Sequence, residues 1–340
     1  MNKPERIPGI DDVLAAQKRI AGKAVRTPLL FAPSLSERLG AQIYVKAECL
    51  QRTGSFKFRG AYNAIAALGA AAADGIVACS SGNHAQGIAE AGRLLGVPTL
   101  IVMPADAPDV KRRRTEASGA RVVTYDRATE DRDAVALEVL AREGGTFIHP
   151  YNHPDVVAGQ GTLGLEIAED CARLGIVPDA VLVPCSGGGL TAGVSLALSE
   201  RMPATRVYAV EPAEFDDYAR SLAAGRPETN ARTSGSICDA LLSPEPGSIG
   251  WAINRPLLAG ALSASDEEAL YAVGLAYEEM RLVAEPGGAI TLAALVAGRL
   301  DVMGRTVVAV VSGGNVADDI LARAIAAYRK GTTIPSIPSN

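Results

Sequence analysis

Short apolar runs rich in β-branched residues alternate along this chain with alanine-rich stretches whose apolar positions recur at helical spacing. This alternation is typical of a parallel sheet covered by helices. Runs with hardly any polar residue at their centres indicate strands that are buried on both faces. The predicted strands are 43–48, 75–80, 99–103, 121–125, 146–150, 180–185, 206–211 and 306–312.

The stretches between these strands predict helices at 58–68, 84–95, 108–118, 131–143, 159–174, 190–200, 266–282, 287–298 and 316–329. Between residues 70 and 149 strands and helices form a compact series, which we interpret as a smaller domain inserted into a larger one. The predicted fold is therefore α/β, with two parallel or mostly parallel sheets. The large domain comprises 1–69 and 150–330, the small domain comprises 70–149, and 331–340 form a tail.

Composition and charge narrow the class of protein. The chain has 340 residues, of which 48% are hydrophobic, and this is enough for a large core. Its formal net charge is −5, and the one dense basic run, Lys111–Arg114, is followed by Glu116. We interpret that run as a solvated helix face and expect no nucleic-acid partner.

The N-terminal segment has no apolar signal core, and no uninterrupted apolar run has the length of a membrane span. The five cysteines have neither the spacing of a zinc site nor that of a disulfide framework, which indicates a reducing compartment. We therefore expect a cytoplasmic protein that does not act at a membrane.

Three predicted strands end in glycine-rich turns that lead into helices: "CSSGNHAQG" (79–87), "PCSGGGLTAG" (184–193) and "VSGGNVADD" (311–319). The carboxyl ends of parallel strands meet at one edge of the sheet, and a helix N-terminus offers free backbone N–H groups to an anion. Each turn alone is also explained by tight chain reversal. Together they indicate a shared anionic ligand, and three consecutive glycines allow the backbone to wrap a phosphate.

The middle turn also supports an alternative. Gly187, Gly189 and Ala192 match the dinucleotide fingerprint G-x-G-x-x-G/A, and Glu211 ends the next predicted strand, where a carboxylate would bind a ribose hydroxyl. A nicotinamide-dependent dehydrogenase is compatible with this spacing, but it leaves the other two turns unexplained. The chain contains no G-x-x-x-x-G-K-[ST] phosphate loop, no G-x-S-x-G nucleophile elbow and no H-E-x-x-H metal motif.

Lys57 stands between two phenylalanines at the predicted start of a helix, in "TGSFKFRGA". Pyridoxal phosphate requires an amine, a phosphate cradle, a donor to its phenolic oxygen and a partner for its ring nitrogen. The motifs "SFKFRGA", "SSGNHAQG", "PCSGGGL", "EPGGA" and "VSGGN" contain groups of these kinds. In order and spacing they resemble the fold type II, tryptophan synthase β-like, pyridoxal-phosphate enzymes, in particular the branch of threonine/serine dehydratases and serine racemase.

The resemblance implies a cofactor role for most of these motifs. Lys57 matches the lysine that binds the cofactor covalently and then acts as the base, and Phe56 matches the residue that packs on the ring. Asn83 matches the asparagine that bonds the phenolic oxygen. Ser186, Gly187, Gly188 and Gly189 match the phosphate loop, with a serine in place of its first glycine, and Glu285 of "EPGGA" belongs to the matched cofactor site.

The same resemblance implies a substrate site. The turn of Ser81, Gly82, Asn83 and His84 matches the segment that binds the substrate carboxylate, and Ser81 stands where a racemase has its second acid/base group. Arg132 lies near the position that offers a cation to a second substrate carboxylate in serine racemase and hydroxyaspartate dehydratases. A surface arginine on a helix is the more ordinary explanation of that residue.

Ser312 matches the residue that bonds the pyridine nitrogen, although a helix N-cap would also account for it. A neutral hydroxyl, unlike a carboxylate, cannot keep that nitrogen protonated, so the ring is a weaker electron sink. A substrate that loses a leaving group from Cβ as its Cα proton departs avoids the build-up of a carbanion. β-Elimination therefore suits this site better than transamination.

The stretch "VEPAEFDDYARS" (210–221) matches the region where serine racemase and some dehydratases bind Mg²⁺ or Mn²⁺. The matching ligands are Glu211, Asp217 and the backbone carbonyl of Phe215. An acidic strand-to-helix turn without a metal is the alternative.

The resemblance as a whole implies an ammonia-lyase that converts L-threonine and L-serine to 2-oxobutanoate and pyruvate with release of ammonia. We expect no feedback control by isoleucine, because the residues after "VSGGN" leave no room for the regulatory domain of biosynthetic threonine dehydratases. Dehydratases of 3-hydroxyaspartate or phenylserine and a serine racemase are the alternatives within the branch. The dehydrogenase is the alternative from another class. The family also suggests a homodimer.

Overall fold

The computed structural model describes residues 6–107, 109–126 and 128–331, without the side chains of residues 110, 111, 132 and 133. The described residues form ten strands and thirteen α-helices. The strands are β1 (Leu29–Phe31), β2 (Gln42–Ala47), β3 (Ile76–Cys79), β4 (Thr99–Pro104), β5 (Arg121–Tyr125), β6 (Thr146–Phe147), β7 (Ala180–Pro184), β8 (Arg206–Pro212), β9 (Leu258–Ala264) and β10 (Thr306–Val311). The helices are α1 (Ile10–Ile20), α2 (Pro33–Leu39), α3 (Lys57–Ala67), α4 (Asn83–Leu95), α5 (Asp109–Ala117), α6 (Arg132–Glu143), α7 (Pro154–Leu174), α8 (Gly189–Arg201), α9 (Asp217–Ala224), α10 (Ser248–Leu257), α11 (Asp266–Met280), α12 (Pro286–Val296) and α13 (Asp318–Arg329).

The strands form two sheets. The larger sheet has six strands in the order β1-β2-β10-β7-β8-β9, in which β1 is antiparallel to β2 and the other neighbours are parallel. The smaller sheet has four parallel strands in the order β5-β4-β3-β6. The prediction of an α/β fold with two parallel or mostly parallel sheets is confirmed.

The larger sheet is buried on both faces, as its apolar runs predict. Along β10, Val307, Ala309 and Val311 pack into a core cluster with α11 and α12. Val308 and Val310 point the other way, into a cluster with α7 and α8. Because successive side chains of a strand face opposite sides of the sheet, a strand covered by helices on both faces needs apolar residues at every position.

The smaller sheet lies within residues 76–147, inside the segment predicted as a separate domain. Helix α3 packs against it, because Phe58, Ala61 and Ile65 share one core cluster with Ile76 and Ile88. The helix that begins with Lys57 therefore lies between the two sheets. The exact domain boundaries at 69/70 and 149/150 stay a prediction, and all of the predicted tail except Gly331 lies outside the described residues.

Two strands and four helices have no counterpart in the sequence prediction. Strand β1 has three residues, and β9, at the edge of the sheet, is rich in alanine and largely half-buried, so neither contains a buried β-branched run. The missed helices are α1, α2, α9 and α10. Helix α7 begins at Pro154 and not at 159, because His153 caps its N-terminus by accepting a hydrogen bond from the Asp155 N–H.

No helix of the described part of the chain is both long enough and apolar enough to cross a membrane.

Candidate active site

The segment that precedes Lys57 is paired with the end of β10. Ser55 forms an isolated antiparallel bridge with Gly313, and the Phe56 N–H donates to the carbonyl of Ser312 at 3.0 Å. The Gly314 N–H donates in turn to the carbonyl of Gly54 at 2.9 Å. These contacts place the start of α3 at the carboxyl edge of the larger sheet, which is where parallel sheets bind ligands.

The Lys57 side chain is partly buried at this edge of the larger sheet. Its Nζ donates to the carbonyl of Pro150 at 2.9 Å and lies 5.2 Å from the centre of the Phe56 ring. Burial of the amine lowers the pKa of Lys57 to about 8, although the negative charge of Glu285 opposes the shift. About a tenth of the amine is therefore neutral at pH 7, far more than for an ordinary lysine, and only the neutral amine is a nucleophile or a base.

A buried ion network anchors the helix that carries this lysine. Arg59, two residues after Lys57, is fully buried and donates hydrogen bonds to the carboxylates of Glu48 and Glu166. The equally buried Lys46 also donates to Glu166, at 2.8 Å. Because these partners come from different parts of the chain, the network joins the start of α3 to β2 and α7.

The turn before α4 presents polar groups to the same edge of the sheet. Asn83 begins the helix, and its Nδ2 donates to Oε1 of Glu285 at 2.6 Å. Gly82, the N-cap residue, has no side chain that could satisfy the first N–H groups of the helix. A carboxylate at this turn would meet free N–H donors and the positive end of the helix dipole.

The His84 ring is not a charged partner for a substrate carboxylate. Its Nε2 lies 3.1 Å from the carbonyl of Ile148, and because a carbonyl only accepts, Nε2 carries the proton. Burial, and then the charge of Lys57, lower the pKa of His84 to about 3. The ring is therefore neutral, and only the backbone N–H of His84 is suited to bind a substrate carboxylate.

The glycine loop between β7 and α8 is shaped by aromatic neighbours. A Cβ atom on Gly187 would lie 2.2 Å from the Tyr151 ring, and one on Gly188 would lie 1.7 Å from the hydroxyl of Tyr218. Gly188 also has a φ of +85°, which favours glycine. Helix α8 begins at Gly189 without a side-chain cap, so its first N–H groups face outward for an anion.

Ser186 at the start of this loop is tied to a separate segment. Its Oγ lies 2.7 Å from Oγ of Ser243 and accepts a hydrogen bond from the Ser243 N–H at 3.1 Å. The serine that replaces the first glycine of the family loop therefore adds an anchor and leaves the three following glycines unchanged.

The structure brings most of the predicted site residues together. A Cβ on Gly313 would lie 2.1 Å from Oε1 of Glu285 and 3.3 Å from Nδ2 of Asn83, so the end of β10, α12 and α4 meet at one point. Ser312, at that strand end, is 5% exposed. Ser81 is half-buried in the turn before α4. Arg132 is the first residue of α6, and its side chain lies outside the described part of the structure.

Buried polar atoms test whether these residues fit pyridoxal phosphate. Among the described residues, Oγ of Ser55 and Nδ1 of His84 are buried without a hydrogen-bond partner, and they flank Lys57 and Asn83 in the chain. Unpaired buried polar atoms are costly and usually have a partner that comes from a ligand or water. Together with the uncapped α8 and the lowered pKa of Lys57, they fit a polar ligand with a phosphate and an aldehyde.

The predicted metal ligands are buried below the glycine loop. Burial and the charge of Asp217 raise the pKa of Glu211 well above its usual range, and burial raises the pKa of Asp217 to about 6. Oδ2 of Asp217 is buried without a partner in the described structure, so it is available to a cation. Glu211 is less available, because its two oxygens accept the N–H groups of Tyr218 and Ala219. No group of three or more His, Cys, Asp or Glu side chains in the described residues is arranged for a metal.

Three residues of the site were not predicted from the sequence. Asn315 donates to Asn83, Tyr151 packs on the glycine loop, and Ser243 anchors Ser186. Asn315 ends the "VSGGN" motif, so the motif itself was a signal for it. Tyr151 and Ser243 act through packing and long-range contacts, for which the local sequence contains no signal.

Comparison with known proteins agrees with this geometry. Residues 20–313 match the model of a family described as pyridoxal-phosphate dependent enzymes. The chain is 39% identical over 329 residues to an L-threo-3-hydroxyaspartate ammonia-lyase of Saccharomyces cerevisiae, covering 96% of this chain and 99% of that protein. It is 42% identical over 306 residues to a protein of the same name from Pseudomonas sp, covering 90% and 94%. The crystal structure of a threonine deaminase from T.th. superposes with a TM-score of 0.86 at 41% identity, covering 91% of this chain and 99% of that one.

These matches confirm the predicted cofactor, fold type and enzyme class, since ammonia-lyases are carbon–nitrogen lyases. The dinucleotide alternative is wrong, and the structure gives a physical reason. Glu211, its candidate ribose ligand, is fully buried and uses both carboxylate oxygens to cap the N-terminus of α9. With a family model that spans most of its length and relatives of about 40% identity over nearly their whole chains, the chain belongs to the pyridoxal-phosphate-dependent enzymes.

Proposed function

We propose that this protein is an ammonia-lyase that removes the β-hydroxyl group of a hydroxy amino acid and then releases ammonia and a 2-oxo acid. The observation that carries the proposal is the Lys57 amine, whose pKa is lowered to about 8 by burial and whose Nζ lies 2.9 Å from the carbonyl of Pro150. An amine of this kind is suited both to bind the cofactor and to remove a proton from Cα.

In this proposal the bound cofactor supplies the electron sink for the Cα–H bond that breaks. The N–H groups of Gly187, Gly188 and Gly189 would hold its phosphate, and Asn83 would donate to its phenolic oxygen. Ser312 would meet the ring nitrogen with a neutral hydroxyl, which would favour loss of the Cβ hydroxyl over accumulation of charge on Cα. The side chain of Phe56, next to Lys57, would pack on the ring.

The remaining polar groups position the substrate. The N–H groups from Ser81 to His84, at the uncapped N-terminus of α4, bind the substrate carboxylate. The neutral Lys57 amine would accept the Cα proton, and the resulting ammonium would protonate the hydroxyl that leaves Cβ, so that water is released. In a racemase, Ser81 of the same turn is our candidate for the group that returns a proton to Cα, as the resemblance implies.

For the substrate, we propose L-threo-3-hydroxyaspartate. Support comes from the two relatives of that name, which match almost end to end at 39% and 42% identity. Arg132 is our candidate for the cation that binds the second carboxylate. L-Threonine and L-serine, the substrates expected from the sequence, are the second candidates, supported by the threonine deaminase structure at 41% identity.

A substrate panel tests both proposals. Purified protein carrying pyridoxal phosphate is given 3-hydroxyaspartate, threonine, serine and phenylserine, and 2-oxo acid, ammonia and D-amino acid are measured. We expect the highest kcat/KM with L-threo-3-hydroxyaspartate and a selective loss of it in Arg132→Met. A higher kcat/KM with threonine would overturn the substrate proposal, and D-serine as the main product would replace lyase by racemase. Release of 2-oxo acid by the Lys57→Ala variant at the wild-type rate would overturn the proposed base.

We also propose that Asp217, whose Oδ2 has no partner in the described structure, binds Mg²⁺ or Mn²⁺ together with the Phe215 carbonyl and the lone pairs that Glu211 retains beside the two N–H groups it accepts. The cation would favour the charged form of both carboxylates, whose pKa values burial raises. The test is the thermal midpoint with chelator and with added Mg²⁺. We expect Mg²⁺ to raise the midpoint of the wild type but not that of Asp217→Asn. Equal midpoints of the wild type under the two conditions would decide for an acidic turn without metal.

We further propose that the enzyme is a cytoplasmic homodimer, as its resemblance to the family implies. Light scattering of the purified protein tests the dimer, and a monomer mass would contradict it.

A further inference from the structure

We propose that Asn315 is a positioning residue that sets which end of the Asn83 amide faces the phenolic oxygen of the cofactor. The inference rests on the proposed function in one respect, namely that Asn83 bonds this oxygen. It concerns a residue to which the sequence resemblance assigns no role.

A series of hydrogen bonds connects four segments. Nδ2 of Asn315 donates to the backbone carbonyl of Thr53 at 2.9 Å and to Oδ1 of Asn83 at 2.7 Å. Nδ2 of Asn83 then donates to Oε1 of Glu285 at 2.6 Å. The lysine loop, the end of β10, α4 and the start of α12 are thereby connected through two amide side chains.

The acceptors at the two ends of this series, the Thr53 carbonyl and the Glu285 carboxylate, determine the direction of each hydrogen bond between them. A backbone carbonyl only accepts hydrogen bonds, so Asn315 must turn its NH₂ group toward Thr53. The second hydrogen of that NH₂ group then needs an acceptor, and this requires the oxygen of Asn83. The NH₂ group of Asn83 is left to face the Glu285 carboxylate, with its second hydrogen available to another acceptor.

Packing keeps Asn315 in this orientation. Gly54 has a φ of +73°, and a Cβ on that residue would lie 2.8 Å from Oδ1 of Asn315. The Gly314 N–H donates to the Gly54 carbonyl at 2.9 Å, so the backbones on the two sides of the amide are themselves joined. The Asn315 amide therefore bridges the rigid loop before Lys57 to the N-terminus of α4.

The consequence concerns the charge on the phenolic oxygen of the cofactor. A donor from Asn83 stabilises the anionic form of this oxygen, which absorbs visible light. If the Asn83 amide turned over, an acceptor would face the oxygen and would favour its protonated form, which absorbs in the near ultraviolet. Loss of a hydrogen bond to a charged group corresponds to a roughly tenfold or larger change in the ratio of the two forms.

The decisive variant is Asn315→Asp, which has the same shape but cannot donate. Thr53 and Asn83 would then each face an acceptor, and the Asn83 amide would turn over to donate toward residue 315. We expect a roughly tenfold fall in the ratio of visible to near-ultraviolet absorbance of the bound cofactor, and a fall in kcat of similar size. Asn315→Ala removes the donor without adding a repelling acceptor, so its spectrum should lie between those of the wild type and Asn315→Asp.

The predicted order of the spectral changes, with Asn315→Asp larger than Asn315→Ala, distinguishes a positioning role from a packing role. A residue that merely filled space would make the alanine variant, which opens a cavity, worse than the isosteric aspartate variant. Asp319→Asn, an isosteric change on the exposed start of α13, is the matched control and should leave the spectrum unchanged. Thermal midpoints of all variants are measured with cofactor bound, and should a variant not fold, the other one still tests the prediction.

The outcomes also separate this inference from the proposed function. A wild type that binds no pyridoxal phosphate would overturn both. A wild type with the visible band and lyase activity, together with an Asn315→Asp spectrum and kcat equal to those of the wild type, would overturn the role of Asn315 alone. An alanine variant with a larger spectral change than the aspartate variant would also overturn it.

Discussion

Replacing Arg59 by methionine should destabilise the protein more than any single change on its surface. The guanidinium is fully buried and donates to both oxygens of Glu48, at 2.8 Å each, and to both oxygens of Glu166, at 2.7 and 2.8 Å. Methionine fills much of the same space but leaves Glu48 buried without its guanidinium partner. Glu166 keeps the ammonium group of Lys46.

The expected magnitude follows from this imbalance. Removing one partner of a buried ion pair costs roughly 3–5 kcal/mol, because the remaining charge stays out of water. Since Arg59 donates to two carboxylates and only Glu166 has a hydrogen bond to a second cation, we expect a loss toward the upper end of this range. Arg173→Met is the matched control, because that arginine also pairs with a buried carboxylate, Asp170, but is itself 71% exposed. An exposed pair contributes less than about 1 kcal/mol.

The pH dependence provides a second test of the same argument. Burial alone would raise the pKa of Glu48, but the charge and hydrogen bonds of Arg59 lower it below the ordinary value of 4.5. This carboxylate therefore stabilises the native wild type above pH 4.5, and the contribution is lost as the pH falls through the lowered native pKa. Without Arg59, burial raises the pKa of Glu48, so protonation occurs sooner and relieves the unpaired charge. The difference between wild type and variant should shrink as the pH falls.

The assay is urea unfolding of the cofactor-loaded protein, followed by circular dichroism at neutral pH and near pH 4.5. The argument would be refuted if Arg59→Met lost no more stability than Arg173→Met. A difference from the wild type that stayed constant between the two pH values would contradict the proposed electrostatic cause.

Three further predictions concern the lysine, the phosphate loop and the helix packing behind it. Because the pKa of Lys57 is about 8, the rate at which cofactor-free protein captures pyridoxal phosphate should rise about tenfold per pH unit below pH 8 and level off above it. A stopped-flow rate that is flat across this range would contradict the lowered pKa. Ser186→Gly removes two hydrogen bonds to Ser243, each contributing roughly 0.5–1.5 kcal/mol. If this loss falls on cofactor binding, the cofactor Kd measured by absorbance titration should rise about fivefold or more, and an unchanged Kd would count against the anchor. In Gly193→Ala the new Cβ would lie 2.5 Å from the Gly161 nitrogen, so α7 and α8 must separate. We expect the free energy of unfolding in urea to fall by roughly 1–3 kcal/mol. A variant as stable as the wild type would show that the two helices can shift freely.

The accuracy of the secondary-structure prediction varied with burial. Strands with fully buried apolar runs, such as β7 and β10, were predicted because helices cover both of their faces and every position needs an apolar residue. The edge strands β5 and β6 were also predicted, although they are only partly buried. Strand β9 was missed because an edge strand that is only half-buried does not require such a run. Helix α1 was missed although it has a detectable signal, since its buried residues Val13, Ala16 and Ile20 recur at helical spacing.

The site shows the same division at the level of single residues. Lys57, Asn83 and Ser312 were predicted because each belongs to a contiguous motif whose glycines and polar residues have a local cause, and their roles stay a prediction. Tyr151 and Ser243 were not found, because they act on the glycine loop from distant parts of the chain. Their importance depends on which segments become neighbours, and that is a property of the fold.

The sequence by itself determined the α/β fold, the strands of both parallel sheets that are buried, and the groups available to a phosphate and an amine-binding cofactor. These features depend on local patterns, namely the period of apolar residues and the turns that only glycine permits. Only the tertiary structure decided the state of these groups. Burial lowers the pKa of Lys57 to about 8, the cap on α9 occupies Glu211, and Asn315 orients Asn83. Charge, donor direction and desolvation depend on atoms brought together from distant parts of the chain, so no local pattern contains them.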